Sequence, residues 1–241
     1  MNRINKILLL LVALTLSIGN ASAQIEDILN KVKEKLPKST SKKDNGPKPY
    51  KDVITSKAKT QKGFFIIHEV EDKHLMEIPD SLLGRDILIV NRISKAAAGV
   101  RAGASGYAGD FIGENVVRFE KGPSDNIFIR SISYNERASD TLGMYQSVLN
   151  STIQPIVAAF EIKAYHRDSV KKSSASVIDI QDYIKGDNEL ISFDSRKKKE
   201  LSVGSQALDR SYVLGIKAFD TNIEIKTVKT FKEAPKASGG S

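Results

Sequence analysis

Residues 63–92 read GFFIIHEVEDKHLMEIPDSLLGRDILIVNR. Their apolar side chains fall into three short runs, 64–70, 75–78 and 85–93, separated by acidic and turn-forming residues. Runs of this length, rich in Ile, Val, Leu and Phe, predict strands rather than helices. Asp80-Ser81-Leu82-Leu83-Gly84 predicts a single helical turn closed by Gly84. The stretch therefore reads as strand, turn, strand, polar turn, strand.

The same pattern continues downstream. Residues 114–120 and 126–134 predict a hairpin around Lys121-Gly122-Pro123-Ser124-Asp125. Residues 141–153 predict a helix, with Leu142, Tyr145, Val148 and Leu149 on one side and Pro155 marking its end. Residues 159–165 alternate, with Phe160, Ile162 and Ala164 opposite Glu161 and Lys163. A short strand at 177–180 and a short helix at 181–185, closed by Gly186, follow. Residues 211–219 and 222–231 predict a last hairpin around Asp220-Thr221. The expected fold class is mainly β (α+β), with antiparallel sheets and hairpins and a few short helices. The expected units are a small β-rich one over 50–98, a Gly-rich connecting loop over 99–113, and a second β-rich one over 114–241 that is truncated at its C-terminus.

Upstream, residues 1–23 predict a Sec signal peptide. Arg3 and Lys6 precede an apolar core at 7–18, and Ala21-Ser22-Ala23 forms an A-x-A cleavage site that makes Gln24 the mature N-terminus. The expected location is the periplasm, the outer surface or the extracellular space. Residues 24–36 predict a short amphipathic helix, with Ile25, Ile28, Leu29, Val32 and Leu36 on one face. Residues 37–49, PKSTSKKDNGPKP, have the composition of a linker.

Charge and cysteine content narrow the chemistry. The chain carries a formal net charge of +8 and no cysteine. Disulfides, thiol nucleophiles and thiolate metal sites are thereby excluded. The charge is uneven: residues 24–62 hold eleven lysines against five acids, whereas residues 63–241 hold 24 basic and 24 acidic residues. The body is neutral, so no nucleic-acid partner is expected. The basic leader points to solubility or to contact with anionic surface polymers. No stretch after the signal is apolar enough to span a membrane.

Candidate sites are few. His68-Glu69 and His74 suggest a zinc motif, but H-E-x-x-H needs histidines at i and i+4 to share one helix face. Spacing of i and i+6 sets two imidazoles about 240° apart on a helix or ~20 Å apart on a strand. His166, the third histidine, stands alone at a strand end. Residues 98–113, AGVRAGASGYAGDFIG, match neither dinucleotide nor P-loop spacing, and Tyr107 stands where a G-x-S-x-G elbow needs glycine. The loop is expected to be a surface connection; its functional alternative is closure over another domain's cleft, carried by Gly103, Gly106, Tyr107 and Gly109. Arg196-Lys197-Lys198-Lys199 is expected at a solvated hairpin tip. No catalytic or metal-binding residue is expected.

Several blocks carry a family resemblance. Lys48-Pro49-Tyr50-Lys51-Asp52-Val53-Ile54, Gly63-Phe64-Phe65-Ile66-Ile67-His68, Glu77-Ile78-Pro79-Asp80-Ser81-Leu82-Leu83-Gly84-Arg85-Asp86, Ala108-Gly109, Val117-Arg118-Phe119, Asp209-Arg210-Ser211-Tyr212 and Ala218-Phe219-Asp220-Thr221-Asn222-Ile223 resemble the N-terminal region of large secreted zinc-dependent metallopeptidases typical of Bacteroidetes. In that family two domains of uncharacterised function precede a zincin-like catalytic domain. The resemblance implies a non-catalytic accessory region, inactive alone, whose partner is a downstream catalytic domain or another protein. It implies zinc only for that catalytic domain and no cofactor for this chain. The alternative is a free-standing exported binding module.

Overall fold

The computed structural model describes residues 46–99, 105–139, 143–170 and 172–234. The expected signal peptide with Ala21, Ala23 and Gln24, the helix at 24–36, and Gly103 lie outside the described residues.

The described chain is mainly β, built on one antiparallel eight-stranded sheet. Its strands are β1 (Lys59–Gln61), β2 (Ile66–Val70), β3 (Lys73–Pro79), β4 (Ile87–Arg92), β5 (Phe111–Gly122), β6 (Asn126–Ile132), β7 (Ile156–Asp168) and β8 (Ser173–Asp179). The spatial order is β1-β2-β3-β8-β7-β6-β5-β4. β3 pairs with β8, and β4 pairs with β5. Strands from both expected units thus share one sheet. β5 begins at Phe111, three residues earlier than expected, because Phe111 and Gly113 already pair with Arg92 and Asn91.

β7 joins the two halves of the sheet. Its first part, through Glu161, pairs with β6, and the part from Ile162 onward pairs with β8. Between Ile162 and Ala164 the register shifts by a bulge. An inserted residue reverses which face the following side chains take. Phe160 and Ile162 face the main core, whereas Ala164 packs on the other face with Leu75 and Val177. The expected single face for Phe160, Ile162 and Ala164 is corrected by that bulge.

The main core lies on one face of the sheet. Ile67, Ile78, Val117, Ile127 and Ile178 are fully buried there, with Phe65, Phe119 and Phe160 around them. It is covered by α3 (Gln181–Lys185), by Leu190, and by the hairpin of β10 (Tyr212–Ala218) and β11 (Ile223–Val228), which sends in Val213, Ile216, Ala218 and Ile223. The hairpin is fastened to the sheet by backbone. Phe64 N donates to Phe219 O at 2.7 Å, and a Cβ on Gly63 would lie 2.5 Å from that same oxygen, an approach only glycine permits. β12 (Phe231–Glu233) pairs with β9 (Val203–Gln206); β11 has β10 as its one strand partner among the described residues.

On the opposite face, α1 (Tyr50–Val53) covers β3, β8 and β7 through Tyr50, Val53 and Ile54. α2 (Tyr145–Ser151) occupies part of the expected helix at 141–153; residues 140–142 lie outside the described set. The expected hairpin tip at Arg196–Lys199 is instead inside a helix, α4 (Ser195–Glu200). Asp194 decides this as N-cap, its carboxylate accepting from Lys197 N at 2.6 Å.

Candidate functional site

Strand alternation sets His68, Leu75 and Glu77 on the α1 face of the sheet, and the β7 bulge adds His166 to them. Glu77 is 1% exposed and carries a complete set of donors. Its Oε2 accepts from the Tyr50 hydroxyl at 2.8 Å and from His68 Nε2 at 3.0 Å. Its Oε1 accepts from His166 Nδ1 at 2.7 Å. Tyr50 and His166 stack with ring centroids 4.4 Å apart. On the far side of His68, Nδ1 and the Thr60 hydroxyl are 2.8 Å apart. Side chains of α1, β2 and β7 thus meet at the carboxylate carried by β3, and β1 adds Thr60 behind His68.

Burial by itself would raise the Glu77 carboxyl. The hydrogen bonds from His68, His166 and Tyr50, with the charge of His166, overcome burial and hold it down to about 2. Burial, together with the adjacent carboxylate, pushes the Tyr50 phenol well above its ordinary value. Glu77 is therefore an ionised carboxylate inside the protein. A buried charge is tolerable only when so partnered.

The order hydroxyl, imidazole, carboxylate from Thr60 through His68 to Glu77 is that of activated nucleophiles. Here His68 is 2% exposed, and each Glu77 oxygen is already engaged. The geometry is that of a fastening that ties α1 to the sheet. A cleft of about 420 Å³ lies elsewhere, between β10 and the strands β1 to β3, lined by Glu69, Asp72, His74, Gln181 and Tyr212.

Sequence reading left His166 isolated and singled out His68 with His74. The structure joins His68 to His166 instead. His74 sits apart, its Nδ1 2.7 Å from Gln181 Oε1. Glu77 went unnoticed because an acid in a strand reads as ordinary surface. The signal that could have found it is its place between Leu75-Met76 and Ile78 in an otherwise apolar strand. Among the described residues, no group of three or more His, Asp or Glu is disposed to hold a metal ion. No described helix is long and apolar enough to cross a membrane.

The Gly-rich loop lies at the other end of the sheet. Asp110 accepts from the backbone of Gly106 at 2.8 Å and of Tyr107 at 2.9 Å. Gly109 N donates to Ile93 O at 2.7 Å. Ser105 meets Glu200 and Lys197 of α4. Residues 105–110 of the loop are thereby held against the end of β4 and against α4.

Residues 47–96 match the family model described as Domain of unknown function (DUF5118). Residues 109–241 match the one described as Domain of unknown function (DUF5117). No curated protein and no solved structure matches the chain.

Proposed function

From a chain that belongs to the DUF5117 family, with a DUF5118 match ahead of it, we propose a non-catalytic accessory region of an exported zinc-dependent metallopeptidase. It packs on or covers a catalytic domain and is inactive alone. The zinc and its ligands belong to that domain, since these 241 residues contain no H-E-x-x-H. Apart from Ala108, just ahead of the second match, the blocks that resemble the metallopeptidase N-terminal region fall within the two matched segments, which supports the reading.

The observation that carries the proposal is the β10–β11 hairpin. Two strands alone are marginal, and this pair leaves Tyr212, Leu214, Phe219 and Ile225 exposed, Leu214 at 63%. Clustered exposed apolar side chains beside a cleft mark an interaction surface.

The test is binding in trans. The purified chain is titrated with the catalytic domain of an exported H-E-x-x-H peptidase from the same genome, and sedimentation reports the complex. A complex weakened at least about tenfold by Leu214→Lys is expected. Chelator-sensitive peptide hydrolysis by the chain alone would overturn the reading. So would the absence of any complex; cell-surface docking through residues 24–49 would then favour the free-standing module.

A further inference from the structure

The two edges of the eight-stranded sheet are built differently. β1 is three residues long and begins with Lys59, and the side-chain amide of its Gln61 is bonded to β10. Gln61 Nε2 donates to Ile216 O at 3.0 Å, and its Oε1 accepts from Ala218 N at 3.2 Å. This is an edge blunted by shortness, charge and cover, as natural sheets require. β4, the other edge, is six residues long and contains neither lysine nor proline. No described strand pairs with its outer side. Leu88 is 60% and Val90 46% exposed. On the opposite face Ile87 and Ile89 pack on the main core yet stay half-buried, so the core itself is open along this edge.

The sequence of the edge is complementary to itself. Asp86, Leu88, Val90 and Arg92 form one row on the outer face of the sheet, acid at one end and base at the other. Run antiparallel to a copy of itself about Ile89, the strand sets Asp86 against Arg92 twice and Leu88 against Val90 twice on that face, and Ile89 against Ile89 on the other. Opposite charges and aliphatic pairs directly across strands are the favourable combinations. Their present contacts leave both charges available: Asp86 meets Arg118 through one oxygen, and Arg92 uses one terminal nitrogen on Gly109 O at 3.0 Å while lying over the Phe111 ring.

We propose that β4 is a self-association strand: two copies of this chain pair their β4 edges antiparallel about a two-fold axis at Ile89, extending the sheet across both. Such a contact is isologous, each copy supplying the same surface. The paired edges satisfy the open backbone groups and bring the Ile87–Ile89 sides of the two cores together. This surface is separate from the β10–β11 hairpin, so the two proposals fail independently.

Sedimentation of the purified chain over graded concentrations provides the test. A dimer is expected. Asp86→Arg and Arg92→Asp each set like charges opposite one another at both ends of the contact and should weaken association at least about tenfold. An equimolar mixture of the two variants should associate again, because arginines on one chain then face aspartates on the other. Leu88→Lys, at an exposed position, should weaken the dimer while leaving the unfolding temperature unchanged at dilutions where wild type is monomeric, since dimerisation itself raises it; it keeps the idea testable if Asp86→Arg, which deprives Arg118 of its partner, fails to fold. A chain monomeric at every concentration overturns the proposal. So does a dimer indifferent to these substitutions, or a mixture no tighter than either variant alone.

Discussion

Replacing Glu77 by glutamine probes a buried carboxylate that accepts from three side chains. The side chain keeps its length, but an amide NH2 takes the place of one acceptor oxygen. That nitrogen must then face a donor of Tyr50, His68 or His166. Folding holds the Glu77 carboxyl from its ordinary 4.5 down to about 2, which corresponds to about 3 kcal/mol of stability. Breaking a buried ion pair from one side costs about 3–5 kcal/mol, a large part of a domain's usual ~5–15. The sign follows from the lowered value. The contribution is fully present above pH 4.5 and is lost as pH falls from 4.5 towards 2. Wild type should therefore lose about 3 kcal/mol over that window on account of this group, and Glu77→Gln should lack that part of the acid limb. The chain has no tryptophan, so urea unfolding is followed by far-ultraviolet circular dichroism at pH 7, 5 and 3. A loss under ~1 kcal/mol at pH 7, with an acid limb matching wild type, would refute the fastening role.

Tyr50→Phe removes one hydrogen bond to that carboxylate and should cost about 1.5–3 kcal/mol, with proteolysis near residues 48–54 accelerating as α1 loosens. Gly63→Ala forces a methyl against the Phe219 carbonyl and should destabilise by about 1–3 kcal/mol; hydrogen exchange in the β10–β11 hairpin should rise with it. Asp194→Ala removes the α4 cap and should cost about 1 kcal/mol by urea unfolding. Ile178→Ala, at a fully buried position, should cost about 2–5 kcal/mol.

Strands at 64–70, 75–78 and 85–93 were legible because apolar runs bounded by turn residues survive any packing arrangement. Gly84 and Gly186 were legible as stops for the same local reason. The helix at Ser195–Glu200 was not, since four consecutive basic residues read equally well as a solvated turn; the deciding N-cap bond of Asp194 is only 2.6 Å of geometry. The candidate site was largely illegible. Its ligands to Glu77 come from Tyr50, His68 and His166, the last 89 positions from Glu77, and no spacing rule links such residues.

The sequence by itself determined most strands and the turns between them, though not the short β1 and β9 or the break between β11 and β12, and the neutral, cysteine-free chemistry of the body, because these depend on neighbours along the chain. Only the tertiary structure decided which strands became edges and which residues shared a face. β3 could pair with β8, and β4 could become a sheet edge, only through contacts between distant segments. One inserted residue at the β7 bulge then turned Ala164 and His166 to the side of Glu77. Side-chain parity is a property of the pairing register, and the register is fixed by a partner strand that the local sequence does not contain.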